Sequence, residues 1–136
     1  MTSPDEAHEV LRSIYAGLDD DQEHFVMLVL SAAAHIEGFK VMASGAQDGV
    51  TVECKDVFHS ALLLGAQGIV VAHNHPSGVL IPSRADISLT ARLTRAGRVL
   101  DIPVLDHVIL GRRTEHLSLR TTFPTLFVMS DNEPDD

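Results

Sequence analysis

Two histidines one residue apart, His73 and His75, and a carboxylate eleven residues further on, Asp86, are the side chains whose types and spacing suggest chemistry. They follow the apolar run Ile69-Val70-Val71-Ala72, which reads as a buried strand. Residues two apart in an extended strand project to the same side, so both imidazoles can converge on one point at its end. Two neutral imidazoles and a carboxylate are a common ligand set for a catalytic zinc, which keeps a fourth position for water and lowers the pKa of that water to about 7. Pro76 and Pro82 stiffen the loop before Asp86 and reduce the entropy lost in fixing that ligand. Each part also has a plainer explanation. With eight histidines in the chain, roughly half a His-x-His pair arises by chance. Ser83 and Asp86, three residues apart, are close to a capping box and can serve a helix terminus alone. The combination is more specific: two histidines at a strand end, a stiff Pro/Gly loop, then Ser-x-x-Asp at a helix start.

These side chains need elements to hold them. Ala7, Val10, Leu11, Ile14 and Tyr15 recur at helical steps, so residues 5–16 form an amphipathic helix, with Ser3-Pro4 at its start. Phe25 to Leu30 is an apolar run too short for a helix and reads as a buried strand. Residues 35–43 and 49–53 are weaker strand candidates, divided by a turn region at Gly45–Gly49. A helix over 55–65 is marked by Val57, Phe58, Ala61, Leu62 and Gly65 on one side. After the histidine loop comes the clearest helix, with Ser83 as its N-cap and Leu89, Leu93, Ala96 and Leu100 along one face. Residues 104–110 and 116–119 read as closing strands around a turn at Gly111-Arg112-Arg113. The order helix, strands, helix, strand, helix, strands predicts an α/β fold, a mixed sheet flanked by helices. One domain over 1–129 is expected. The acidic stretch 130–136, without hydrophobic period, reads as a frayed tail.

Composition narrows the function classes. Apolar residues are 45% of the chain and aromatics only 4%, so Leu, Val, Ile and Ala must build the core. A net charge of -9 argues against a phosphate-neutralising surface, and direct nucleic-acid binding is not expected. The stretch Arg84–Arg120 departs from that acidity, with seven arginines against four acids. Arg92, Arg95 and Arg98 fall on one helix face, read as solvated, with docking of an acidic partner or nucleic acid as the alternative. The single cysteine, Cys54, has no triad-like setting and reads as a small buried residue in a reducing compartment. No signal peptide is visible, and no apolar run reaches the roughly 18 residues of a membrane span, so a cytoplasmic protein is expected.

The string His73-Asn74-His75-Pro76, six residues, then Ser83-Arg84-Ala85-Asp86 matches the JAMM (MPN+) metalloprotease signature. His-Asn-His-Pro-Ser-Gly, then Pro82 to Ile87, and the strand Leu105-Asp106-His107-Val108-Ile109-Leu110-Gly111 resemble the RadC branch of that superfamily. The resemblance runs from about Ser3 to Leu119. It is strongest over 69–111 and weakest over 31–54, which lack the polar stretches of RadC proteins. The helix-hairpin-helix region of longer RadC proteins is not seen, so a catalytic-type domain alone is expected. The resemblance implies a cytidine-deaminase-like JAB/MPN fold, with Zn2+ held by His73, His75 and Asp86. It implies a hydrolase of peptide or isopeptide bonds, in which metal-activated water attacks the carbonyl of a protein or peptide substrate. It also implies a glutamate at the start of the first strand that holds the water and acts as general base. Glu23 matches that place, although it continues the acidic run Asp19-Asp20-Asp21 and can simply be solvated; Glu37 is the fallback. Ser83 would donate to the developing oxyanion, using the hydroxyl that would also cap the helix. Two other functions stand beside this one: a non-catalytic MPN-like scaffold, and a repair role suggested by the RadC name. Of the neighbouring residues, His107 reads as structural, and only one of Asp106 and His107 can face the site. Asn74, pointing away from its flanking histidines, reads as a turn residue or a hydrogen-bonding support.

Overall fold

The computed structural model describes residues 3–45 and 52–128. Five strands form one mixed sheet in the order β2-β1-β3-β4-β5. The elements follow the chain as α1 (Pro4–Ala16), β1 (Glu23–Leu30), β2 (Ile36–Gly45), α2 (Cys54–Leu63), β3 (Gly68–Asn74), α3 (Arg84–Leu100), β4 (Val104–Leu110), β5 (His116–Ser118) and α4 (Leu119–Thr122), with a short 3-10 turn at Pro124–Leu126. β1 runs antiparallel to both β2 and β3, β3 and β4 are parallel, and β5 returns antiparallel to β4. Parallel neighbours need a crossover, and α3 supplies it between β3 and β4.

Helices cover both sheet faces, which explains why β1 and β3 are almost continuously apolar rather than alternating. One face packs Phe25, Met27, Ile69 and Val71 against Val57, Phe58 and Ala61 of α2 and Leu93 of α3. The other packs Val26, Leu28, Val70 and Ala72 against Leu11 of α1. Because side chains alternate, His73 continues the row of Ile69 and Val71 on the α2/α3 face, whereas Asn74 continues the row of the α1 face.

α3 enters through a capping box: the Ser83 hydroxyl accepts from the Asp86 amide at 3.0 Å, and the Ser83 amide donates to Asp86 Oδ2 at 2.8 Å. It leaves through Asp101, whose left-handed φ of 57° turns the chain toward β4. Gly97 allows that close return, since a Cβ there would stand 2.5 Å from the Ile102 carbonyl oxygen. The last predicted strand stops a residue early. Ser118 caps α4 by accepting from the Thr121 amide, so Leu119 begins a helical turn instead. Of the strand expected over 49–53, Val52 and Glu53 lead straight into α2 without pairing. The remainder, the turn at 46–49 and the expected tail at 130–136 lie outside the described residues. Among the described residues, no helix is long and apolar enough to cross a membrane.

Candidate metal centre

β3 delivers His73 at its end and His75 one residue past it, where the His75 amide donates to the Leu110 carbonyl at 2.9 Å and keeps the chain on the sheet. The loop then turns so that the first turn of α3 lies against them. His73 Nε2 is 3.0 Å from His75 Nε2 and 3.3 Å from Asp86 Oδ1, and His75 Nε2 is 3.5 Å from Asp86 Oδ2. Among the described residues these three form the one cluster of His, Cys, Asp or Glu able to hold a metal ion, with ligand atoms within 4.8 Å of one another.

Proton bookkeeping explains why these atoms face each other. Thr90 spends its one hydroxyl proton on the Asp86 carbonyl at 2.7 Å, so its oxygen must accept from His107 Nδ1 at 2.6 Å. Burial pushes the fully enclosed His107 down to about 3, with the neighbouring His73 acting the same way, so the ring is neutral. Its Nε2 is therefore bare and accepts from His73 Nδ1 at 2.8 Å. His75 Nδ1 faces the Val79 carbonyl at 2.7 Å and must donate to it. In their neutral forms both ligand histidines thus turn a bare Nε2 inward, toward a carboxylate. Unprotonated acceptors crowded at this spacing repel one another unless a cation lies among them. Tetrahedral donors 2.0–2.1 Å from a zinc stand roughly 3.3 Å apart, close to the separations found here. The donor set fits the metal.

The carboxylates behave as opposites. Burial works to raise Asp86, but bonds to His73 and His75 and to the Ser83 amide outweigh it and hold the group well below the usual carboxylate range. Glu23 is raised, by burial first and by the charge of Asp86, although both histidines pull the other way. Its Oε1 lies 4.0 Å from His73 Nε2. Asp86 is thus fixed as an anion, and Glu23 is brought nearer the range where a carboxylate can exchange protons. For His75 the Asp86 bond is the largest influence and raises the pKa, ahead of the opposing effect of burial.

The residues named from sequence separate clearly. His73, His75, Asp86 and Glu23 meet at one point. Glu37 does not: β1 and β2 pair from Glu23↔Gly45 to Leu30↔Ile36, which puts Glu37 at the opposite end of the strands, roughly 20 Å away. Ser83 caps α3 through an oxygen lone pair, which leaves its proton free to donate elsewhere, so capping and oxyanion donation are compatible. His107 rather than Asp106 faces the site; Asp106 is bound by Ser118 and by the His107 and Arg120 amides. The direct bond from His73 Nδ1 to His107, and Thr90 beyond it, have no signal in the sequence spacing. Cys54 is half-buried against the core, its Sγ 3.8 Å from the Arg92 carbonyl, with its thiol pushed up by burial. A cleft of about 570 Å³ on the α1 side, bordered by Arg12, Tyr15, Asn74 and Arg112, reaches the cluster at His75 and Pro76.

The sequence matches the RadC-like JAB domain family over residues 1–123. It is 46% identical over 102 residues to a UPF0758 protein of Acidithiobacillus ferrooxidans, covering 75% of this chain and 45% of that protein. It is 40% identical over 111 residues to one of Shouchella clausii, covering 82% and 47%. With one of Carboxydothermus hydrogenoformans it shares 36% identity over 118 residues, covering 87% and 51%. The chain spans about half the length of these curated relatives.

Proposed function

This chain belongs to the RadC-like JAB domain family, and we propose that it is a zinc-dependent hydrolase of peptide or isopeptide bonds. The observation that carries this reading is the pair of imidazole Nε2 atoms facing a fixed carboxylate at ligand spacing, with a second, raised carboxylate 4.0 Å from the nearer ring. His73, His75 and Asp86 would hold the ion. Zinc bound there supplies positive charge that polarises a carbonyl and lowers the pKa of water to near neutrality.

The remaining work falls to the protein. Glu23 takes a proton from the attacking water and returns it to the leaving nitrogen, a task suited to a carboxylate whose pKa is raised. Ser83, held at the helix start by its bond from the Asp86 amide, donates its free proton to the carbonyl oxygen as charge collects there. His107 and Thr90 keep the His73 lone pair aimed inward. The substrate is a protein or peptide, with a protein conjugate included in that class.

The test is turnover of a quenched-fluorescence peptide and isopeptide library by the zinc-loaded protein. Hydrolysis that disappears on chelation, and in Glu23→Gln while the zinc stays bound, is the expected result. Zinc bound without turnover of any library member points instead to a partner-binding scaffold.

A further inference from the structure

We infer that Asn74, the residue between the two histidines, positions Glu23 by replacing a missing rung of the sheet. The β1–β3 ladder ends at the pair Phe25↔His73. Beyond it, β1 runs on to Glu23 with backbone pairing on the β2 side only, at Glu23↔Gly45. On the β3 side the Asn74 carboxamide completes the pattern: its Oδ1 accepts from the His24 amide at 2.7 Å, and its Nδ2 donates to the Gln22 carbonyl at 2.9 Å. A carboxamide has the same donor and acceptor as a peptide group, so it can pair with a strand edge as another strand would. The two backbone groups it holds belong to the residues on either side of Glu23.

This gives the base a rigid mount. Strand ends fray when their backbone groups lack partners. Here the His24 carbonyl also accepts from the Tyr15 hydroxyl at 2.7 Å, and the His24 ring donates to the Asp19 carbonyl at 2.7 Å. Glu23 therefore leaves a fixed backbone, on the sheet face opposite the Asn74 side chain. Other residue types fail for definable reasons. Aspartate keeps the acceptor for the His24 amide but sets a second acceptor against the Gln22 carbonyl, and alanine leaves both groups unpaired. One side chain of the His-x-His string thus ties the metal-holding strand to the strand that carries the base. The inference rests on Glu23 acting as proposed above, and its test separates the two.

Asn74→Ala and the near-isosteric Asn74→Asp are compared with the parent protein for zinc affinity, amide hydrogen exchange and hydrolysis. Both variants are expected to hold zinc within about threefold of the parent, and to exchange the His24 amide faster while the amides of Val26 and Leu28 are unchanged. kcat falls about 30-fold with KM nearly constant, the scale of a misplaced catalytic group. Adding Asn74→Ala to Glu23→Gln lowers kcat no further, because both changes act through one carboxylate. An additive double variant, an unchanged kcat, or lost zinc overturns the inference. If the parent hydrolyses nothing, the hydrolase reading fails separately. The inference is then judged from crystals of parent and Asn74→Ala, where an unmoved Glu23 carboxylate overturns it and a displaced one supports it.

Discussion

His73, His75 and Asp86 lie within fourteen residues of one another, whereas Glu23 reaches the same point from fifty residues upstream of His73. The ligand side is assembled by local rules: strand alternation, a proline-stiffened loop and a capping box. The base side is assembled by register: the antiparallel pairing of β1 with β3, and the Asn74 bonds that continue it. Two sides of one site can therefore fail independently. Local assembly resists changes elsewhere in the chain, while a carboxylate delivered by register depends on everything that sets the strand.

The largest contrast should come from paired substitutions. Asp86→Ala should remove both the zinc and turnover, while Glu23→Gln should keep the zinc and lose turnover by roughly 10²- to 10⁴-fold. Metal analysis beside a rate assay separates them; zinc loss in Glu23→Gln would show that the two sides are not distinct. Next in size is His107→Leu, which removes the acceptor for His73 Nδ1. Chelator competition should find zinc held 10- to 100-fold more weakly, with the exchange rate of the His24 amide unaltered.

A smaller effect is expected from pH. His75 has a folded pKa raised above 6.5, chiefly by Asp86, so it still carries a proton just above that pH, and this proton must leave when metal binds. The gain in Tm caused by zinc, measured against an EDTA control, should therefore grow as pH rises from 6 to 8. In the zinc-free protein the His75–Asp86 contribution is fully present below 6.5 and is lost as pH rises through the higher folded pKa. A zinc-induced gain that shrinks with pH would reverse this sign. Smallest in stability is Ser83→Ala, expected to cost about 1 kcal/mol through the lost cap, read by denaturant unfolding. With its oxyanion donor gone, kcat of the folded variant should also fall roughly 10²-fold; an unchanged kcat would remove the hydroxyl from the reaction.

The same division decides what could be read from the sequence. α1, β1, β3 and the Ser83 start of α3 follow from periodicity and cap chemistry, which are local, and the three ligands sit on β3, one residue past it and in the first turn of α3. The contact of His107 with His73 has no local signal because it depends on the parallel register Val71↔His107, between strands joined by the α3 crossover. The pairing of Asn74 with the backbone around Glu23 was hidden for the same reason. Sequence position favours Glu23 with Glu37 as the fallback; the β1–β2 ladder separates them to opposite ends. Leu119, expected at the end of a strand, has an apolar side chain that fits either structure, and the Ser118 cap decides for helix.

The most direct test of the metal centre is the zinc content of protein purified without chelator, beside His75→Ala prepared identically. About one zinc per parent chain, and none in a variant that remains folded, is the predicted result. A folded parent that holds no zinc when zinc is supplied, or a variant that holds as much as the parent, would contradict the assignment.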